Sequence, residues 1–262
     1  MVFYHTINPV LVSLGGLEIR YYGLMYVLSF LLVYVTLKWA AQKKQIDWTT
    51  QDIDNFLLAA VVSMLVFARL FYVIFYGDNY YWQNLSQIIA VWKGGLSFHG
   101  GLFGVVLAGI WFSKKKKISP LLLGDILSLP LALSQALVRV GGNWVNGELY
   151  GKITDVSWGV NFHGETDLAN NPVFRHPSQL YEGAKNILIF IILFPLRNKE
   201  FPQGTIFALF LILYSVFRFI IEFYRQPELY IGFLTMGQFL NIFIFIAGVS
   251  ILIYTRWHHE KR

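Results

Sequence analysis

No cysteine occurs anywhere in the 262-residue sequence. That absence excludes disulfides, thiolate metal sites and a thiol nucleophile supplied by the protein itself. Charge is scarce too: Asp, Glu, Lys and Arg make up 14% of the chain, against roughly 25% in soluble domains. There is no His-Glu-x-x-His and no acidic pair at metal-binding spacing, so neither a metal nor a cofactor is expected. The net charge of +6 comes without a basic face on a nucleic-acid-binding motif, so no nucleic-acid partner is expected. The first twenty residues lack a basic start followed by an apolar run and a small-residue cleavage site, so the first span is expected to direct insertion itself. No internal repeat is visible, direct or inverted, which disfavours the common transporter architectures.

What the chain has in abundance is apolar surface. Hydrophobic residues make up 56% and aromatics 18% of it, and the mean hydropathy is +0.52. This predicts one all-α, multi-pass integral membrane domain over 1–262, with spans of about 20 residues. Seven spans are expected, at about 21–41, 55–76, 96–113, 120–141, 178–197, 204–224 and 235–256. Cations gather in alternate connections: Lys43 and Lys44, the run Lys114 to Lys117, Arg197 and Lys199, then Arg256, Lys261 and Arg262. The opposite side holds only the scattered Arg20, Lys93, Lys152, Arg175 and Arg225. The positive-inside rule then predicts a cytoplasmic C-terminus and an N-terminus outside. The lysine run reads as a topology signal with added contact to anionic headgroups. The longest non-apolar stretch, about 142–177, falls on the outer side and carries the turn signals Asn146-Gly147 and Asn170-Asn171-Pro172. A stretch of that length usually has a function beyond connection. Trp82, Trp92, Trp144 and Trp158 are expected in an interfacial belt.

Under this topology the unusual polar residues converge on one depth. Tyr21 and Tyr22 open the first span, and His99 lies in the first turn of the third. Arg139 ends the fourth and is followed by Asn143, Asn146 and Glu148; Arg175, His176, Gln179, Tyr181 and Glu182 open the fifth. An arginine at a bilayer centre costs roughly 2.5–3.5 kcal/mol on insertion scales, so it persists where it faces a polar interior or binds something. Tyr214, Arg218, Glu222 and Arg225 are spaced four, four and three apart, on one stripe of the sixth span. Two arginines against one carboxylate leave that stripe spare positive charge, and guanidinium forks suit phosphate oxygens. The same spacing also suits a ladder that only stabilises the helix. His99 sits among glycines, in Gly94-Gly95-Leu96-Ser97-Phe98-His99-Gly100-Gly101. They permit close helix packing, and an imidazole there can serve as a base or as a packed hydrogen-bonding group. Asn143, Asn146 and Glu148 suit either a helix cap and turn or a ligand site. Arg69, in the second span, is expected to pair with lipid or with an acidic partner.

Six stretches, in order along nearly the whole chain, resemble the bacterial prolipoprotein diacylglyceryl transferase family. They are Tyr22-Gly23-Leu24-Met25-Tyr26, the Gly94–Gly101 stretch, Asn143-Trp144-Val145-Asn146-Gly147-Glu148-Leu149-Tyr150-Gly151, and Arg175-His176-Pro177-Ser178-Gln179-Leu180-Tyr181-Glu182, followed by Phe217 to Pro227 and Met236-Gly237-Gln238. The resemblance implies a seven-span enzyme of the bacterial plasma (inner) membrane. Such an enzyme moves the diacylglyceryl group of phosphatidylglycerol to the lipobox cysteine, beside the signal peptide of a prolipoprotein, and releases glycerol phosphate. By the same resemblance His99 is the base for the thiol, and Arg139 and Arg218 bind and polarise the phosphate. Tyr22, Asn143, Asn146, Glu148, Tyr214, Glu222 and Arg225 then position headgroup and arginines. The chain's own lack of cysteine agrees with a nucleophile that belongs to the substrate.

One departure stands out. The family pattern reads Arg, any residue, Gly, Asn, whereas Arg139-Val140-Gly141-Gly142-Asn143 holds one residue more; Val138 and Trp144 replace the usual Gly and Phe. In a continuous α-helix one extra residue rotates every later side chain by about 100°. Either a bulge at the glycine pair absorbs it, or Arg139 and Asn143 face different ways. A transporter or channel for an anionic solute, and an inactive lipid-binding relative, are the rival readings.

Overall fold

A computed structural model describes residues 3–77, 80–227 and 229–259. The tail cations Lys261 and Arg262 lie outside the described residues. Seven long helices run through the described chain: α1 Tyr21–Gln42, α2 Thr50–Tyr76, α3 Phe98–Lys115, α4 Pro120–Leu137, α5 Ser178–Leu193, α6 Thr205–Ile221 and α7 Met236–His259. Six of them, with α4, α5 and α6 taken together with their continuations to Trp144, Asn198 and Tyr224, are long and apolar enough to cross a membrane. The chain is therefore a multi-pass membrane protein. The remaining expected span, the third at about 96–113, falls on α3, whose 18 residues include Lys114 and Lys115 in the last turn. Those lysines, with His99 and several glycines, dilute its apolar content.

The helices carry their apolar side chains outward. Val27, Leu31 and Val35 on α1, and Leu58, Val62 and Val66 on α2, are each more than half exposed. Rows of aliphatic side chains four residues apart would be a large exposed patch on a soluble protein; here lipid is their solvent, and helices satisfy their own backbone hydrogen bonds in it.

The all-α expectation needs one correction. Three small two-stranded sheets lie outside the spans. Strand β1 (Phe3–His5) pairs in parallel with β4 (Val160–Phe162), β2 (Val10–Leu14) with β3 (Leu17–Arg20), and β5 (Tyr230–Ile231) with β6 (Leu234–Thr235). The first gives the 142–177 segment a fixed strand. There Asn161, almost fully buried, donates from Nδ2 to the Glu165 and Val173 carbonyls at 2.7 and 2.8 Å.

Contacts divide the chain into two compact units, Tyr34–Leu123 and the remainder, Met1–Val33 with Gly124–Arg262. In the Tyr34–Leu123 unit, α2 begins with a capping box in which Thr49 and Asp52 satisfy one another's backbone N–H groups. Asp52 also takes Lys116 at 2.6 Å. Helices α2 and α3 pack through glycine: a Cβ on Gly100 would strike the Phe67 carbonyl, and one on Gly104 the Ser63 carbonyl.

In the other unit, Ala132, Ile189, Leu193, Ile206 and Phe210 form the core between α4, α5 and α6. The start of α6 lacks a side-chain cap of its own. Asp125 of α4 supplies one, accepting from Gly204 N at 2.5 Å and Phe207 N at 2.8 Å. Asp125→Ala leaves both donors unmet inside an apolar layer. We expect a loss of about 1–3 kcal/mol, read as a lower unfolding midpoint in detergent, with a smaller loss for Asp125→Asn. An unchanged midpoint for the alanine variant would contradict this role.

Candidate active site

The extra residue beside Arg139 is absorbed by a π-helical turn. Residues Val138–Trp144 leave the α-helical ladder and widen into π-helix at the end of α4. A π turn accommodates one additional residue without rotating the later side chains out of register. Arg139 and Asn143 accordingly share a face: Arg139 Nη1 donates to Asn143 Oδ1 at 3.2 Å. Asn143, buried, passes the contact on from Nδ2 to Glu148 Oε1 at 2.9 Å, and Asn146 Nδ2 reaches the same oxygen at 3.5 Å. The glycine pair is sterically required. A Cβ on Gly142 would meet the Tyr22 ring at 2.6 Å, and one on Gly141 would collide with Met25. Beyond the turn, Gly147 and Leu149 take positive φ, and Gln179 Nε2 holds the Glu148 carbonyl at 2.7 Å. His5 Nε2 lies 2.6 Å from the Trp144 carbonyl and His163 Nε2 2.9 Å from that of Gly147. Trp144 itself packs on Phe3, His5 and Phe162.

Alongside, the stripe on α6 meets carboxylates from two elements. Arg218 Nη1 pairs with Glu222, and Arg218 Nε lies 3.1 Å from Glu182 Oε1 on α5. Lys185, one turn further along α5, reaches Glu182 Oε2 at 2.7 Å and stands over the Tyr214 ring at 3.9 Å. Glu222 also lies 3.5 Å from Arg225 Nε and accepts from Thr235 Oγ1 at 3.0 Å. Gly237, at the start of α7, admits that carboxylate; a Cβ there would overlap it. Gly183 likewise seats against Val140 of the π turn.

The expected charge surplus survives with different members. The stripe's own surplus is met by Glu182, which sequence reasoning places nearby without a role. Lys185, which that reasoning misses, adds a cation. Arg139, Lys185, Arg218 and Arg225 stand against Glu148, Glu182 and Glu222, four cations to three carboxylates, which leaves one positive charge over. Arg225 Nη1 is buried and donates to nothing among the described residues. A buried charged donor without an acceptor is costly, and an anionic oxygen would satisfy it. Lys185 carried a readable signal: Glu182 and Lys185, three apart inside an apolar stretch, invite the same question as an arginine there.

Neighbouring contacts in the 142–177 region are structural. Arg175 forms a two-pronged pair with Glu165, both bonds at 2.6 Å, and lies over the Tyr150 ring. The guanidinium holds the Glu165 carboxyl below the usual carboxylate range. Burial pushes His176 down as well; its Nδ1 is 3.1 Å from the Tyr181 hydroxyl, which accepts from Trp158 Nε1 at 2.7 Å.

A sequence model of the prolipoprotein diacylglyceryl transferases matches residues 9–254. The chain belongs to the prolipoprotein diacylglyceryl transferase family. Among its relatives, the phosphatidylglycerol–prolipoprotein diacylglyceryl transferase of Geobacter sulfurreducens is 40% identical, over 97% of this chain and 96% of its own length. Those of Desulfotalea psychrophila and Oleidesulfovibrio alaskensis are 39% and 38% identical, over 98% and 100% of this chain and 96% and 98% of theirs.

Within this chain, the residues singled out from sequence divide into two sets. Tyr22, Arg139, Asn143, Asn146, Glu148, Tyr214, Arg218, Glu222 and Arg225 all belong to the unit that comprises Met1–Val33 and Gly124–Arg262. His99 belongs to the Tyr34–Leu123 unit, where its exposed ring lies edge-on to Phe98. Arg69 is buried, and among the described residues its hydrogen bonds run to backbone carbonyls of its own unit rather than to an acid.

Proposed function

We propose that this family member transfers the diacylglyceryl group of phosphatidylglycerol to the lipobox cysteine of a prolipoprotein. The observation that carries this is the cationic cluster around Arg218, with one positive charge in excess and a buried Arg225 N–H unmatched, in a chain of this family. In the reaction the substrate sulfur attacks the glyceryl carbon that bears the phosphate. A carbon–sulfur bond forms, the carbon–oxygen bond breaks, and its electron pair leaves on glycerol phosphate. The thiol proton passes to a base, which we assign to His99.

Fixed positive charge aimed at the departing phosphate lowers that barrier most where water is excluded. Arg139 and Arg218 are assigned to polarise the phosphate and Arg225 to complete its binding. Tyr22, Asn143, Asn146, Glu148, Tyr214 and Glu222 are assigned to hold these groups in place. The bonds Arg139→Asn143→Glu148 support this division.

We assign α3 as a seventh span in a single plasma-membrane domain. The cluster and the 142–177 segment then face outward, with the C-terminus cytoplasmic; lysines at the end of α3 support this orientation. The test supplies purified protein with phosphatidylglycerol and a peptide containing a signal sequence and lipobox cysteine. Expected are a thioether-linked diacylglyceryl peptide and one glycerol phosphate per turnover, with none from a Cys→Ser peptide. Product without glycerol phosphate release, or none at all, overturns the reading.

A further inference from the structure

Arg69 is a charged side chain buried to 5% exposure inside α2, a placement costly enough to need a reason. Its guanidinium spends four N–H bonds on one short stretch of backbone. Nε donates to the Ile88 carbonyl at 2.8 Å and Nη2 to Gln87 at 2.6 Å; Nη1 donates to both Gly94 at 2.7 Å and Gly95 at 2.9 Å. Tyr72 and Tyr81 place their rings within 5.8 and 5.0 Å of it. Such a side chain has little left with which to bind a lipid phosphate. Its geometry is that of a clamp, and only a planar fork can reach carbonyls on both sides at once.

The clamped backbone leads directly into the helix that carries His99. Gly94 and Gly95 have φ of 83° and 75°, in the region that favours glycine, and a Cβ on Gly95 would lie 2.7 Å from Arg69 Nη1. Two residues later Ser97 N donates to the Ala68 carbonyl, beside Arg69, at 2.9 Å. Ser97 also caps α3 through Gly100 N at 3.4 Å, and Gly100 and Gly104 seat that helix on α2. His99 is therefore presented from backbone fixed on both sides, although its own ring is exposed.

We propose that Arg69 is a positioning residue for the transfer reaction, acting by locking the Gln87–Gly95 approach so that His99 is held where it must take the thiol proton. This rests on the assignment of His99 as the base. Displacing a reacting group by about 1 Å can cost roughly 100-fold in rate.

Arg69→Lys keeps the charge and loses the fork. The chain has no cysteine, so a nitroxide on Trp92→Cys, an exposed position in the clamped stretch, is a unique reporter of its mobility. We expect Arg69→Lys to sharpen the label's spectrum and to lower kcat about 100-fold, with KM for phosphatidylglycerol within about 2-fold of the parent. The decisive reading is a double-mutant cycle. In the His99→Gln background, Arg69→Lys should cost nothing further, because the group it positions is gone. Equal losses in both backgrounds, or no loss in the parent, overturn the proposal. A His99→Gln protein at full rate overturns the base assignment instead, and with it any action of Arg69 through His99. Should Arg69→Lys fail to accumulate in membranes, Gly95→Ala attacks the clamp from the carbonyl side and is read in the same cycle.

Discussion

Arg218→Lys is expected to reduce diacylglyceryl transfer by about 1,000-fold while leaving a folded membrane protein. The substitution retains a positive charge, so a loss of this size measures geometry rather than charge. Arg218 reaches Glu182 through Nε and Glu222 through Nη1, two carboxylates on different elements. A lysine ammonium is a point donor and cannot hold both while presenting remaining N–H groups to a phosphate. Arg218→Ala is a harsher change. It leaves Glu182 to Lys185 and Glu222 to Arg225, each buried carboxylate short of one partner, and removal of one partner from a buried ion pair costs up to about 3–5 kcal/mol. The alanine variant should therefore unfold in detergent well before the lysine variant. Transfer by Arg218→Lys within a few-fold of the parent would mean that the fork takes no part in the reaction.

His99→Gln is the second large effect, and pH separates the two roles open to that residue. A positioned base contributes about 100- to 10,000-fold to proton transfer. The substrate thiol has an ordinary pKa of about 8.5. Below that value the thiol needs a base; above it the thiolate forms unaided. If His99 removes the proton, the deficit of His99→Gln is full near pH 7 and shrinks as the pH rises through the thiol's pKa. If His99 instead binds phosphate, the deficit is flat with pH and appears in KM for phosphatidylglycerol. Initial rates of both proteins from pH 6.5 to about 9.5 decide the matter.

How far these features could be read from sequence varied with how local their causes are. Spans were legible to within a few residues because twenty consecutive apolar side chains are a local fact. Helix α2 begins at Thr50, five residues before the expected start, because the Thr49–Asp52 capping box lies in a polar stretch that hydropathy passes over. The short strands escape notice for a different reason. Phe3 pairs with Val160 across more than 150 residues, and three-residue strands have no periodicity to detect. The inserted glycine is visible in sequence, but its outcome is not: rotation and a π turn are both open until Tyr22 and Met25 are seen packed where side chains on Gly142 and Gly141 would have to go. Arg69 stands out in sequence as an anomaly, yet the backbone carbonyls that take its hydrogen bonds do not. A buried cation suggests an anion, and carbonyls supplied by a folded-back loop carry no mark in the sequence.

The cluster on α6 and its neighbours is proposed to hold the phosphate of a glycerophospholipid. Its most direct test is an experimental structure of the protein prepared with phosphatidylglycerol. The lipid phosphate is expected within hydrogen-bonding distance of Arg218 or Arg225, occupying the unmatched donor at Arg225 Nη1. A headgroup bound elsewhere, with both guanidinium groups still turned only toward Glu182 and Glu222, would contradict it.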